Sequence, residues 1–267
     1  MEELDRTLPD CLDLLGEIDA RATFFVLGEV AERYPGRIRE IVEAGHEVAC
    51  HGFLHLRADE RPVAEFRRDV ERARWVLEQI TGRPVRGFRA PEWSLRHLAN
   101  PRLRAIAELG FQYDSSLSPA VGAGEPANPR EPARLVWRDG LQLNEAPPLV
   151  WGGRLRLPVG GWTGRLAPER LLASAISDAA GATLVVHPWE LVDRPVPGLY
   201  TGFARFFHDA GRAGYRLRFA RLIGARSARP LGELLSRIPA VPSALPETET
   251  AVAVPATALR PTRVEGR

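Results

Sequence analysis

The stretch Gly45-His-Glu-Val-Ala-Cys-His-Gly-Phe-Leu-His55 decides how this chain is read. Glu47-Val-Ala-Cys50 has the composition of a short β-strand. The chain leaves it through a Gly-containing loop that carries imidazoles at positions i and i+4. His51 and His55 can close on one divalent metal ion from such a loop, and neutral imidazole suits zinc, cobalt, nickel or iron. A bare pair at this spacing also fits two ordinary polar loop residues; the preceding strand and Gly52 favour the metal. His46 opens the strand and is read as packing or hydrogen-bonding. Cys50 precedes His51, so within a strand it points to the opposite face and is read as a core thiol.

Two more clusters end apolar runs. In Gly87-Phe-Arg-Ala-Pro-Glu92, Arg89 closes a strand and Pro91 fixes the turn after it, so the guanidinium is held rather than mobile. Its role there would be to fix and charge-stabilise a carboxylate. Glu92 is open to three readings: metal ligand, substrate contact or solvated side chain. In Leu184-Val-Val-His-Pro-Trp-Glu190, His187 ends a run that should be buried. An imidazole there is suited to general acid work, although a structural His also fits. Trp189 and Glu190 follow at the rim, where a sugar ring could stack on the indole. His97 and His208 sit in charged, helix-like surroundings and receive no role.

Helix-like and strand-like segments alternate from Leu8 to Ile238, which implies an α/β fold with parallel strands and helices packed outside. Thr183 to His187 and Tyr215 to Phe219 read as strands of that pattern. The marked clusters all fall at C-terminal strand ends, where parallel α/β barrels build their sites. Ser118 to Arg138, rich in Pro, Gly and Ala, reads as an excursion. Leu141 to Leu157, with Pro147-Pro148 and Gly152-Gly153, reads as a rim hairpin. Residues 1–238 are assigned to one barrel domain. Residues 239–267 lack periodicity and read as a disordered tail.

The 267 residues and 45% hydrophobic content allow a sizeable core. No apolar run reaches the roughly 18 residues needed to span a bilayer. Met1-Glu-Glu-Leu-Asp5 is acidic with no apolar run after it, so a signal peptide is not expected and a cytoplasmic location is. Two cysteines exclude a disulfide scaffold. A net charge of +2 gives no sign of a nucleic-acid partner. All 36 basic residues are Arg, which excludes lysine Schiff-base chemistry and any phosphate loop that depends on Lys.

The chain resembles the polysaccharide deacetylases, the NodB-homology group of carbohydrate esterases. The resemblance is carried in family order by Arg21-Ala-Thr-Phe-Phe-Val26, the Gly45–His55 stretch, Arg86-Gly-Phe-Arg-Ala-Pro91, Gly110-Phe-Gln-Tyr-Asp-Ser-Ser116 and Val185-Val-His-Pro-Trp-Glu190. The Arg-Ala-Pro, Tyr-Asp-Ser-Ser and His-Pro-Trp-Glu forms are most similar to the branch linked to exopolysaccharide export. The resemblance implies a distorted (β/α) barrel and a divalent metal, usually zinc, held by an Asp and two His. It places the metal histidines at His51 and His55, the Arg that pairs with the catalytic base at Arg89, and the general acid at His187. Asp114 would orient or line the site. The implied reaction is metal-assisted hydrolysis of N-acetyl groups, with an N-acetylated polysaccharide or oligosaccharide as partner and acetate as product. The family's first motif, an apolar strand ending in two acidic residues, has no counterpart before Leu8. A barrel lacking its first strand is therefore expected, with the strand encoded upstream. A catalytically inactive carbohydrate-binding barrel and a different metal-dependent C–N hydrolase are the alternatives.

Overall fold

The structure is a computed structural model that describes residues 2–154, 156–179, 181, 183–192, 201–224, 226–238 and 252–255. Helix α1 (Glu2–Glu17) leads into β1 (Thr23–Val26), α2 (Gly28–Arg33), α3 (Pro35–Glu43) and β2 (Glu47–Cys50). Then come α4 (Val63–Thr81), β3 (Gly87–Phe88), α5 (Pro101–Glu108) and β4 (Tyr113–Asp114). The excursion contributes β5 (Ala133–Val136), which is followed by β6 (Gln142–Glu145) and a small hairpin of β7 (Val150–Trp151) with β8 (Leu157–Pro158). Helices α6 (Gly161–Leu166), α7 (Glu169–Asp178), α8 (Gly202–Asp209), α9 (Tyr215–Gly224) and α10 (Leu231–Leu235) precede β9 (Val252–Pro255).

The expected α/β class holds. The main sheet runs β1-β2-β3-β4-β6-β5-β9. Its first five strands are parallel, with Cys50 opposite Phe88 and Asp114 opposite Glu145. Strand β5 is antiparallel to both β6 and β9, so the sheet is mixed rather than wholly parallel. His51, Arg89 and Asp114 therefore leave the same sheet edge, whereas His187 does not come from this sheet. Helix α4 shows why the outer layer packs: Phe66, Val70, Ala73, Val76 and Leu77 form one buried stripe at helical spacing. Gly82, at φ 63°, ends it in the left-handed conformation that a Cβ would oppose.

Two large apolar clusters, with a small third one around Tyr113, Ala146, Leu231, Leu235 and Ile238, share the interior. One joins the sheet to α2–α5 through Ile38, Phe66, Leu77, Phe88, Leu103 and Ile106. The other joins α1, α7 and α9 through Leu14, Leu15, Leu172, Phe219, Leu222 and Ile223. Between them, β1 has a partner only on its β2 side among the described residues. A cavity of about 400 Å³ runs along its other side toward Leu184–Val186.

Three expectations are corrected. Tyr215–Phe219 is not a strand but the start of α9. The alternation of Tyr215, Leu217 and Phe219 imitates a strand, yet Leu217 is 64% exposed while Tyr215, Phe219, Leu222 and Ile223 are buried, which is a helical period. Among the described residues Thr183–His187 makes one parallel bridge, Val185 to Gly160. The cavity separates it from the edge of β1, so no ladder forms there. A Cβ at Gly160 would collide with the Val185 carbonyl, which accounts for the glycine. In the expected tail, Val252–Pro255 pairs with Ala133–Val136, because the outer edge of β5 has N–H and C=O groups to satisfy. The remainder of 239–267 lies outside the described residues. Among the described residues no helix is long and apolar enough to cross a membrane.

Candidate active site

Strands β2 and β3 each deliver one polar residue just past their last ladder pair, His51 and Arg89, while β4 and β6 end on Asp114 and Glu145. His51 follows β2 and donates its N–H to the Val26 carbonyl. Its Nδ1 lies 2.7 Å from the carbonyl oxygen of Arg89. An Nδ1–H that donates to this carbonyl leaves the Nε2 lone pair free, the usual arrangement of a metal-binding imidazole. Loss of water around the ring is the largest influence on His51, and the nearby charges of Arg89, His55 and His187 add to it. The imidazole is pushed down to about 3, so it stays neutral and able to ligate. His55 stands beside it, ring centroids 5.4 Å apart. The loop between them is pinned from α4: Asp69 Oδ2 accepts the Phe53 N–H at 2.8 Å and Oδ1 pairs with Arg61 at 3.2 Å. Gly52, at φ 84°, allows the turn.

Arg89 follows β3. Its Nε donates to the Ser115 carbonyl at 3.0 Å and a terminal nitrogen donates to Ser115 Oγ at 2.7 Å. Its guanidinium lies over the Phe25 ring, 4.0 Å from the centroid, and 4.9 Å from that of Trp93. Burial pulls Arg89 down to about 10, while Tyr113, Asp114 and Glu145 act in the other direction; it remains a cation at neutral pH. Asp114 ends β4 and is fully buried, its oxygens accepting the Ser116 hydroxyl at 2.6 Å and the Ser116 N–H at 3.0 Å. It sits under the site rather than in it.

His187 comes from the other half of the molecule. Its side chain is 63% exposed, and it is fastened from below. Glu190 Oε2 accepts the His187 backbone N–H at 2.9 Å and lies 3.3 Å from Nδ1. Glu190 is 1% exposed and pairs with Arg165 at 3.1 Å. Trp189 stacks between neighbours, 5.7 Å from His187 and 4.3 Å from His208 by ring centroids. Glu190 is thus an anchor rather than a rim contact, and part of the indole is already covered. Glu92 stands apart, half exposed, bonded to Arg57 at 3.0 Å. His46 is structural, accepting the Ala22 N–H at its Nδ1. Cys50 is buried.

The two imidazoles of His51 and His55 fit a divalent ion. Among the described residues no third His, Cys, Asp or Glu joins them. The sequence reading missed Asp69, Ser115 and Glu145. Glu145 had a usable signal: it ends the alternating run Leu141–Glu145 just before Ala146-Pro147, as Arg89 does before Ala90-Pro91.

Residues 4–113 match the family model described as polysaccharide deacetylase. A chitooligosaccharide deacetylase of Sinorhizobium fredii is 40% identical over 116 residues, 43% of this chain and 46% of that protein. A peptidoglycan deacetylase of Helicobacter pylori is 32% identical over 114 residues, 41% of this chain and 36% of that protein. The matched stretch thus spans less than half the length of either relative. The crystal structure of a Mycobacterium smegmatis protein described as a polysaccharide deacetylase superposes with a TM-score of 0.63 at 23% identity, covering 92% of this chain and 82% of that one, which establishes the shared fold. Over residues 4–113, this chain is similar to the polysaccharide deacetylase family.

Proposed function

We propose that the protein takes part in metal-dependent removal of N-acetyl groups from a bacterial polysaccharide. The exopolysaccharides are the substrate class that its Arg-Ala-Pro and His-Pro-Trp-Glu motifs favour. The observation that carries the reading is the convergence of His51, His55, Arg89 and His187: the last three all bear on the charge of the first. A divalent ion held by His51 and His55, with zinc as the expected metal, would polarise the acetyl carbonyl and lower the pKa of water. Arg89, fixed by Ser115, would hold the carboxylate that takes the water's proton. His187, exposed above Glu190, would give a proton to the departing amine nitrogen. The products are acetate and a free amino sugar.

That carboxylate and the third ligand are expected on an extended segment along the free side of β1. The cavity there is lined by Phe24, Phe25, Leu184 and Val186 and reaches Arg89. One observation favours a second reading, a carbohydrate-binding barrel without activity: no acidic residue among the described ones joins the two histidines. Acetate release from N-acetylated oligosaccharides with added zinc separates the two. Under the first reading, His187→Ala slows release by roughly 10²–10⁴-fold with metal content unchanged. Full activity in that variant, or loss of its metal, would overturn the role given to His187. Binding of oligosaccharide without any acetate release would favour the second reading.

A further inference from the structure

Glu145 lies in none of the motifs that carry the family resemblance, and it is completely buried. It ends β6 directly opposite Asp114 of β4 in the parallel register, and Asp114 is likewise completely buried. The two carboxyl groups lie close enough to influence each other's ionisation. Two carboxylates cannot sit so close in a dry interior unless one of them carries a proton.

The hydrogen bonds say which. Asp114 is an acceptor on both oxygens, from the Ser116 hydroxyl and the Ser116 N–H. Glu145 Oε1 accepts the Leu117 N–H at 3.1 Å. Glu145 Oε2 is buried and has no donor to accept from, so it is the oxygen placed to carry a proton and donate it. The neighbouring charge is Arg89 of β3, which both carboxyl groups bear on. Its guanidinium donates to Ser115, the residue between Asp114 and Ser116. Ser115 Oγ in turn donates to the Ala146 carbonyl at 2.6 Å, next to Glu145.

We propose that Glu145 is a positioning residue of this site: as a neutral carboxylic acid donating to the Asp114 carboxylate, it fixes the one buried anion that faces Arg89. One proton then leaves one anion against one cation in the row β3-β4-β6. With both acids ionised the row would hold an uncompensated buried charge, which is costly. With Asp114 unpinned, the 114–116 turn that grips the guanidinium would lose its footing. Burial, together with the negative charge of Asp114, pushes Glu145 well above the usual carboxylate range, in accord with the neutral form.

This inference deepens the deacetylase reading and rests on it for its functional part, so the test has two arms. In the chain labelled with ¹³C at glutamate carboxyls, one resonance should keep the shift of a protonated acid at pH 7 and vanish in Glu145→Gln. If the resonance lost in that variant titrates with the exposed glutamates, the proposal fails. Hydrogen exchange of the Arg89 Nε–H reads the grip. It should be unchanged in Glu145→Gln, whose amide still donates to Asp114, and faster by at least ~10-fold in Glu145→Leu, which cannot donate. Equal exchange in all three proteins would overturn the positioning role; if the leucine variant does not fold, the resonance arm decides alone. In deacetylation, Glu145→Leu should lower kcat with KM held, and Glu145→Gln should restore it. Absence of activity in every form sinks the deacetylase reading and leaves the resonance result standing.

Discussion

The two halves of the site are held in different ways. His51 and Arg89 follow, and Asp114 ends, strands that pair with neighbours on both sides, and His51 and Arg89 are each bonded to a residue just past the next strand. Their positions are set by the sheet itself. His187 follows a segment with a single bridge among the described residues, and one buried ion pair beneath it, Arg165–Glu190, does what the ladder does elsewhere. The large apolar clusters divide along the same line, one under β1–β4 and one under α1, α7 and α9. A ladder distributes the cost of holding a polar group over many bonds. A lone ion pair concentrates it, so the second half should fail abruptly at a few residues.

The largest effect is expected at Arg89. Arg89→Met leaves the Asp114 anion buried without its counter-charge and should lower stability by about 3–5 kcal/mol in urea unfolding. His187→Ala, at an exposed position, should stay within about 0.5 kcal/mol of wild type in the same assay. Similar losses in the two variants would erase the distinction between the halves. Glu190→Gln comes next. It strips the buried Arg165 of its anion, and about 3 kcal/mol is expected, the lower end of the range because the amide can still accept the His187 N–H. Amide hydrogen exchange should then quicken in Val185–Leu191 and remain unchanged in β2 and β3. Uniform quickening would mean that one cooperative unit spans both halves.

The sequence was more legible in the first half for the same physical reason. Val48, Ala49 and Cys50 form a continuous buried run, and His51 appears where the ladder stops, so a local pattern carries the tertiary fact. Arg89 before Ala90-Pro91 was read by that logic. Glu145 before Ala146-Pro147 obeyed it too, but β5 lies between β4 and β6 in the chain, and the pairing of Asp114 with Glu145 is invisible to local spacing. In the second half, Tyr215–Phe219 alternates like a strand over five residues, and the burial of Leu222 and Ile223 is what decides for a helix. Glu190 was read as a rim contact because nothing near it in sequence announces Arg165, which arrives from α6.

Metal binding tests whether the first half is preorganised. The Arg89 carbonyl fixes the His51 ring, and Asp69 fixes the loop that leads to His55. His51→Ala should abolish site-specific binding in a zinc or cobalt titration. Asp69→Asn leaves both imidazoles in place and should weaken binding by about 10–100-fold, the usual effect of removing a partner behind the ligands. Unchanged affinity in Asp69→Asn would mean that the loop finds its geometry without the tether. Unchanged affinity in His51→Ala would remove the metal site from these two histidines.

The smallest perturbation uses the two native thiols as reporters. Cys50 ends β2 inside the sheet; Cys11 lies on α1, in the second cluster and against the cavity beside β1. Burial pushes both up to about 12. At pH 8 both are therefore neutral and enclosed, and an alkylating reagent reaches either one only when the protein opens around it. Exposing Cys50 requires breaking the pairing of β2 with β1 on one side and β3 on the other. Exposing Cys11 requires only that α1 loosen from α9 across a cavity that already separates them from β1. Cys11 should thus be alkylated first, by about tenfold for each 1.4 kcal/mol between the two opening reactions. Peptide mass spectrometry over a labelling time course measures both sites in one sample. Glu190→Gln should widen the ratio by speeding Cys11 alone. If both thiols react at one rate, and that rate tracks global unfolding, the halves open together and the ladder and the ion pair support a single cooperative structure.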